Sequence, residues 1–242
     1  NKDGSLLYAV DQIGFRMIIM DTKTNKVIHN VKTGRYPFGI ALSPDQKKVY
    51  VANVGMFEYS YIKTLDKKRL SETALRFPAS AYGSKEMIEG VKNDTLEFAG
   101  LGEMNAPESF SVWGIDVSKE KPEVVSKVKT GILVGAEVEG ISAVGGSSPN
   151  SMVVTDQHVY VSNGNNDNIS VMNVSGDTVV STITLKLDDR LGNLRGVIPF
   201  GLAVSPDQKR LYVAEAGINA VGVIDLETQQ VLGHIPTGWF PS

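Results

Sequence analysis

The sequence predicts an all-β protein built from four-stranded antiparallel units in tandem. Three observations lead there. The stretch "PFGIALSPDQKKVYVA" (37–52) returns as "PFGLAVSPDQKRLYVA" (199–214), with twelve of sixteen positions identical. The stretch "LYAVDQIGFRMIIMDTKTNKVIHNVKTGRYP" (7–37) aligns without a gap on "LYVAEAGINAVGVIDLETQQVLGHIPTGWFP" (211–241). Eight positions are identical there, including Asp21/Asp225 and the Thr-Gly-x-x-Pro endings. A third, shorter copy reads "SPNSMVVTDQHVYVSNGNNDNISVMNVSGDTVVSTI" (148–183). Prolines open the units at 37, 149, 199 and 241; the last two gaps are 50 and 42 residues and the first is 112. A unit of ~40–45 residues with four strands is the blade of a β-propeller.

Four units can be marked out, over about 6–31, 38–129, 151–185 and 200–235. The first lacks its inner strand. In the fourth, "FGLAVS" is the first strand, small and apolar. Gly39, Ala41, Gly201 and Ala203 suit an innermost position, where blades converge and little room remains. Ser-Pro-Asp-Gln-Lys is the first hairpin: proline pre-sets φ and the aspartate can bond the turn backbone. Asp45 and Asp207 are therefore read as turn formers. "RLYVAE", "AVGVID" and "QQVLGHI" follow as the second, third and fourth strands. Their alternation is weak because both faces carry apolar residues, as in a sheet packed on both sides. Asp21, Asp116, Asn173 and Asp225 recur at the end of each third strand, which points to a turn role.

The phrases "SPDQKKVYVAN" and "SPDQKRLYVAE", followed by "V-x-V-I-D-x-x-T", resemble the YVTN-type β-propeller repeat of YncE-like proteins. The resemblance covers nearly all the chain outside one insertion. Gln46 and Gln208 depart from it, since the family usually has glycine there; the departure bears on the turn geometry. "GGSSPNS", "LRGVIPFGLA" and "AEAGINAVGVID" resemble a narrower group, in which such a propeller precedes a phosphoesterase of the alkaline phosphatase superfamily. The resemblance implies about seven blades, so about four blades here form a segment of a larger propeller; the alternative is a four-bladed ring in which the two ends share a blade. It also implies an exported bacterial protein, periplasmic or at the cell surface. Open blade edges are expected to favour self-association.

At 242 residues, 42% hydrophobic and 21% charged, the chain can bury a sizeable core. No apolar run approaches the ~18 residues of a membrane span. A net charge of −3 without a basic block argues against duplex nucleic acid. There is no cysteine, which excludes disulfides, thiolate metal sites and a cysteine nucleophile.

Residues from about 56 to 110 interrupt the second unit between its second and third strands. The insertion has seven Lys/Arg and nine Asp/Glu, so it is not a basic arm. It is rich in aromatics: Phe57, Tyr59, Tyr61, Phe77, Tyr82 and Phe98. "SKEMIEGV" reads as a short helix. Long insertions are commonly functional; the alternative is a packed excursion that buries its own aromatics. A smaller excursion, "ILVGAEVEGISAVGGSS" (132–148), leads into the third unit on the same rim.

Chemical motifs are few. His29, His158 and His234 lack metal-ligand spacing. "NGNNDN" (163–168) looks like a calcium loop, but Val174 stands where such a loop needs its glutamate. No cofactor is expected. What remains is the rim carrying the links between blades and between second and third strands. The candidates there are Arg35, Tyr36, Asn53, Asn163, Asn165, Asn166, Asp167, Arg195, Glu215, Asn219, Trp239 and Phe240. Aromatics beside Arg and Asn make a recognition surface; the alternative for each is to seal a joint between blades. The expectation is a non-catalytic binding or scaffolding module with a protein, small-molecule or glycan ligand. The alternatives are a lactonase-like hydrolase with a channel metal, a propeller appended to a phosphoesterase, and a cell-surface glycan or peptide binder.

Overall fold

The computed structural model describes residues 1–59, 66–69, 71, 83–94, 97–192 and 194–242. Tyr61, Phe77 and Tyr82 of the insertion lie outside the described residues, as does the side chain of Phe98. The described residues form one three-stranded sheet, three four-stranded sheets and two small hairpins.

The first sheet runs β1 (Leu6–Asp11), β2 (Arg16–Asp21) and β3 (Lys26–Lys32). The second is β4 (Pro37–Leu42), β5 (Lys48–Asn53), β8 (Ser111–Asp116) and β9 (Glu123–Lys129). The third is β12 (Pro149–Val154), β13 (His158–Asn163), β14 (Asn168–Asn173) and β15 (Thr178–Thr184). The fourth is β16 (Pro199–Val204), β17 (Arg210–Glu215), β18 (Ala220–Asp225) and β19 (Val231–Pro236). All are antiparallel meanders, with strands in chain order inside each sheet. The insertion leaves after β5 and returns at β8, yet Ala52 and Val112 still pair directly. Inside it are helix α1 (Lys85–Glu89), with Ser84 Oγ accepting from Met87 N, and the hairpin β6 (Gly90–Lys92)–β7 (Glu97–Ala99). A second hairpin, β10 (Glu137–Val138)–β11 (Ile141–Ser142), lies in the link to the third sheet.

Each sheet packs face to face on the next, and the sequence pattern explains how. Along β5, Val49 and Val51 point one way, into a core with Met17, Ile19 and Ile115. Tyr50 and Ala52 point the other way, towards Met152, Val159, Val161 and Met172. A third core joins Tyr160, Ile169 and Val171 to Leu211, Val213 and Ile224. A strand with apolar residues on both faces must lie between two sheets. Burial of each large side chain contributes ~1.5–3 kcal/mol. The fourth sheet differs: along β17 and β18 every second residue is buried, while Tyr212, Ala214, Val221 and Val223 are only half-buried.

The inner strands meet closely, with β4 against β12 and β12 against β16. A Cβ on Gly39 would come within 2.6 Å of the Asn150 carbonyl oxygen, so only glycine fits. Pro241 and Ser242 follow the same path: Ser242 lies against Gly201 as Asn150 lies against Gly39.

The repeated hairpin holds a further finding. Gln46 and Gln208 have φ of +61° and +55°, the left-handed region that favours glycine. Their side chains explain why glutamine stands there. Gln46 Oε1 accepts from Lys2 N at 2.7 Å, and Gln208 Oε1 accepts from Asp156 N at 3.3 Å. Gln208 Nε2 also donates to Asp156 Oδ2 at 3.2 Å. Each glutamine therefore staples its hairpin to the preceding sheet. Ser43, Asp45, Ser205 and Asp207 bond within the turns, as expected.

Candidate functional site

The links between sheets and the loops between second and third strands form one rim. At each joint the residue just before the third strand takes φ near +50°: Phe15, Phe110, Asp167 and Asn219. Each accepts the N–H of a residue that follows the fourth strand, namely Thr33, Thr130, Leu185 and Thr237. The side chain then closes the joint in one of two ways. Phe15 packs edge-on against Tyr36, at 4.9 Å between ring centroids, and Phe110 covers Gly146. Asp167 instead accepts from Gly196 N at 2.7 Å and Ile198 N at 2.8 Å, and Asn219 Oδ1 accepts from Phe240 N at 2.8 Å.

The candidate residues fall into groups. Asn53, Asn163 and Glu215 occupy one equivalent position, the end of the second strand, and all are fully buried. They face the preceding joint rather than the rim surface. Asn53 Nδ2 donates to Ser111 O, and Asn163 Nδ2 donates to Asn168 Oδ1 and Ser170 Oγ. The first two joints carry Thr-Gly, where Gly34 and Gly131 leave room for the asparagines. The third joint carries Leu185-Lys186 instead, with Glu215 and His234 packed behind it. His234 Nε2 lies 3.0 Å from the Lys186 carbonyl and must donate to it. Its Nδ1 is 2.6 Å from Glu215 Oε2, so those two atoms share a single proton. Burial pushes the Glu215 carboxyl up, and His234 pulls it back.

Arg35 is also buried. Its Nη1 donates to Met56 O at 2.6 Å, Glu103 O at 2.8 Å and Ser109 Oγ at 3.0 Å, gathering both ends of the insertion. Lys129 sits beside it, donating to Ala106 O and Ser109 O. Burial, aided by Arg35 and opposed by Glu108, lowers the Lys129 ammonium to about 8. Tyr36 is half-buried between Phe15 and Tyr59. Trp239, equivalent to Arg35, is 89% exposed, and Phe240 is 52% exposed.

Asn165, Asn166, Asp167 and Arg195 come together. They line a rim cleft of about 480 Å³ between the second-to-third and third-to-fourth links. Its walls are Ile132, Val138, Ala143, Val144 and Ile198. Asn166 Oδ1 accepts from Ile132 N at 2.7 Å, and Asn165 Nδ2 donates to Gly146 O. Arg195 is half-exposed and pairs across the cleft with Glu139, at the tip of the β10–β11 hairpin. The apolar wall of 132–148 was legible in "ILVGAEVEGISAVGG", but its partnership with Arg195 was not. A second, polar groove of about 310 Å³ lies on the opposite side of the third and fourth sheets. Its Arg210–Asp225 and Gln208–Asp156 pairs are already closed on themselves. Among the described residues no group of three His, Asp or Glu side chains could hold a metal ion.

No protein-family model matches the chain, and no curated protein matches it. Among solved structures it is similar to the hydrazine synthase of Kuenenia stuttgartiensis, a β-propeller-containing protein, with TM-score 0.59 and 18% identity. The match covers 96% of this chain and 46% of that one, so this chain spans less than half its length. A functionally unknown protein from Desulfotomaculum acetoxidans DSM 771 aligns with TM-score 0.49 and 14% identity, over 99% of this chain and 68% of that one. Similarity to hydrazine synthase at this identity speaks to fold alone, and the fold is propeller-like.

Proposed function

We propose that the chain is a β-propeller segment of the YVTN type that serves as a binding module, with its ligand in the rim cleft beside Arg195. In this reading the four sheets are blades of a ring of about seven, in an exported bacterial protein. One observation carries the binding role: four of the rim residues singled out by sequence line a single cleft with an apolar wall. A mostly apolar cavity of a few hundred Å³ with a few convergent polar groups is the usual form of a small-molecule site. Asp167 and Asn166 build the floor by holding backbone N–H groups, while Asn165 and Arg195 keep groups towards solvent.

The test is a fragment screen by methyl NMR on the whole chain. Compounds of roughly 10–25 non-hydrogen atoms suit a cavity of this size. Hits should shift the Ile132, Val138, Val144 and Ile198 methyls together. A library whose shifts fall only on the half-open face of the fourth sheet would remove the reading.

A further inference from the structure

The cleft has a latch, and the latch indicates a ligand chemistry. Glu139 and Gly140 have φ of +52° and +78° and form the two-residue tip of the β10–β11 hairpin. Two successive left-handed residues are the signature of a tight hairpin turn, and glutamate is unfavoured at such a place. The tip reaches over the cleft to Arg195, 56 residues further along the chain. The two side chains are roughly half-exposed, 46% for Arg195 and 57% for Glu139. An ion pair so exposed is weak and readily exchanged.

The Asp167 carboxylate beneath the latch already has its hydrogen-bond donors. Both Asp167 oxygens are held by backbone N–H groups of the 192–198 link. Among the described residues Arg195 makes one hydrogen bond, through a single nitrogen, so most of its donors are turned to the cleft mouth and solvent. Asn166 spends its oxygen on Ile132 N, which leaves its amide N–H groups as further donors at the cleft wall. Donors are thus in surplus at the mouth, and apolar surface lies behind them.

We propose that the cleft takes a carboxylate carried on an apolar body, and that this carboxylate replaces Glu139 on Arg195. The inference rests on the cleft being the binding site. The exchange swaps one carboxylate for another, so the charge balance of the site is unchanged. Glu139 moves out to solvent, and the apolar body covers Ile132, Val138, Ala143, Val144 and Ile198. Glu139 is then a competitor built into the chain, and the hairpin is a lid that opens when it loses.

The experiment titrates the whole chain with 4-phenylbutanoate and with 4-phenylbutanamide, read by the cleft methyls. A third arm uses N-acetyl-leucyl-leucine, which separates a peptide carboxyl terminus from a free organic acid by relative Kd. The carboxylates should bind more tightly than the amide by roughly tenfold. Arg195→Gln should remove that preference. Glu139→Gln should tighten the carboxylates by about two- to fivefold, the exchange value of an exposed ion pair. Both residues are on the surface, so circular dichroism should show both variants folded. Equal binding of acid and amide overturns the inference and leaves the cleft as a site of other specificity. Weaker carboxylate binding by Glu139→Gln overturns it too. If no probe shifts any cleft methyl, the binding role of the cleft falls with it.

Discussion

Gln208→Ala is the sharpest test of the inter-sheet staple. The substitution removes both bonds to Asp156 and leaves the backbone at φ +55°. Bonds of 3.3 and 3.2 Å between exposed groups lie at the weak end of the range, ~0.5 kcal/mol each. Alanine does not relieve the left-handed backbone, so the loss should be ~1 kcal/mol. Gln208→Gly loses the same bonds but recovers ~1–2 kcal/mol of strain. It also adds roughly 0.5–1 kcal/mol of chain entropy to the cost of folding. At mid-range these terms place the glycine variant about 0.3 kcal/mol below the parent and above the alanine variant. Urea unfolding followed by circular dichroism measures both. The thermal midpoint of Gln208→Ala should fall by ~2–4 °C for a chain of this size. A double-mutant cycle with Asp156→Ala should give a coupling of about 0.5 kcal/mol, because only the Nε2–Oδ2 bond involves the Asp156 side chain. If Gln208→Ala matches the parent, the staple contributes nothing. If glycine is no better than alanine, the strain argument fails.

Arg35→Met should cost ~2–3 kcal/mol, since it removes the buried donor on which Met56 O, Glu103 O and Ser109 Oγ converge; limited proteolysis should then cut within 56–110 well before the sheets. Tyr50 is fully buried and its hydroxyl donates to Asp177 Oδ1 at 2.9 Å, across from the second sheet to the third. Tyr50→Phe should lower stability by ~1–2 kcal/mol in chemical unfolding, and an unchanged midpoint would show that Lys48 alone satisfies Asp177. Lys129 titrates near 8 in the folded chain, below its ordinary value of 10.5, so the unfolded chain binds more protons between those values. Stability should therefore rise with pH from about 8 to 10.5, and Lys129→Met should flatten that rise; a parent profile that is already flat there refutes it.

The strands were legible because the repeat writes them twice. "RLYVAE" and "AVGVID" are strands β17 and β18 residue for residue, and the short helix over "SKEMIEGV" is present. The inner glycines were read correctly as a consequence of crowding. Gln46 and Gln208 were legible only as departures; their bonds run to Lys2 and Asp156, which no local pattern connects to them. The rim was harder. Asn53, Asn163 and Glu215 are polar residues that end apolar strands, so they read as surface, yet all three are fully buried. Their burial follows from partners on other strands of the same sheet: Ser111 and Ser170 on the adjacent strand, and His234 two strands away, across Gly222 of β18. The cleft depends on Arg195 meeting Glu139, a contact between two different links. Spacing along a chain carries no trace of such a meeting.

The joints have a consequence for how the chain finds its fold. Two hairpins with twelve identical positions out of sixteen are close to interchangeable, and a repetitive chain can dock the wrong copy. The joints they must enter are unlike. One is closed by the Phe15–Tyr36 pair, another by Phe110 over Gly146, a third by the Asp167 carboxylate, a fourth by the Asn219 amide. A misplaced unit would set an aromatic ring against a carboxylate, or leave a charge without its two N–H donors. Each joint thus works as an address label, and the order of near-identical pieces is guarded by the places where they differ.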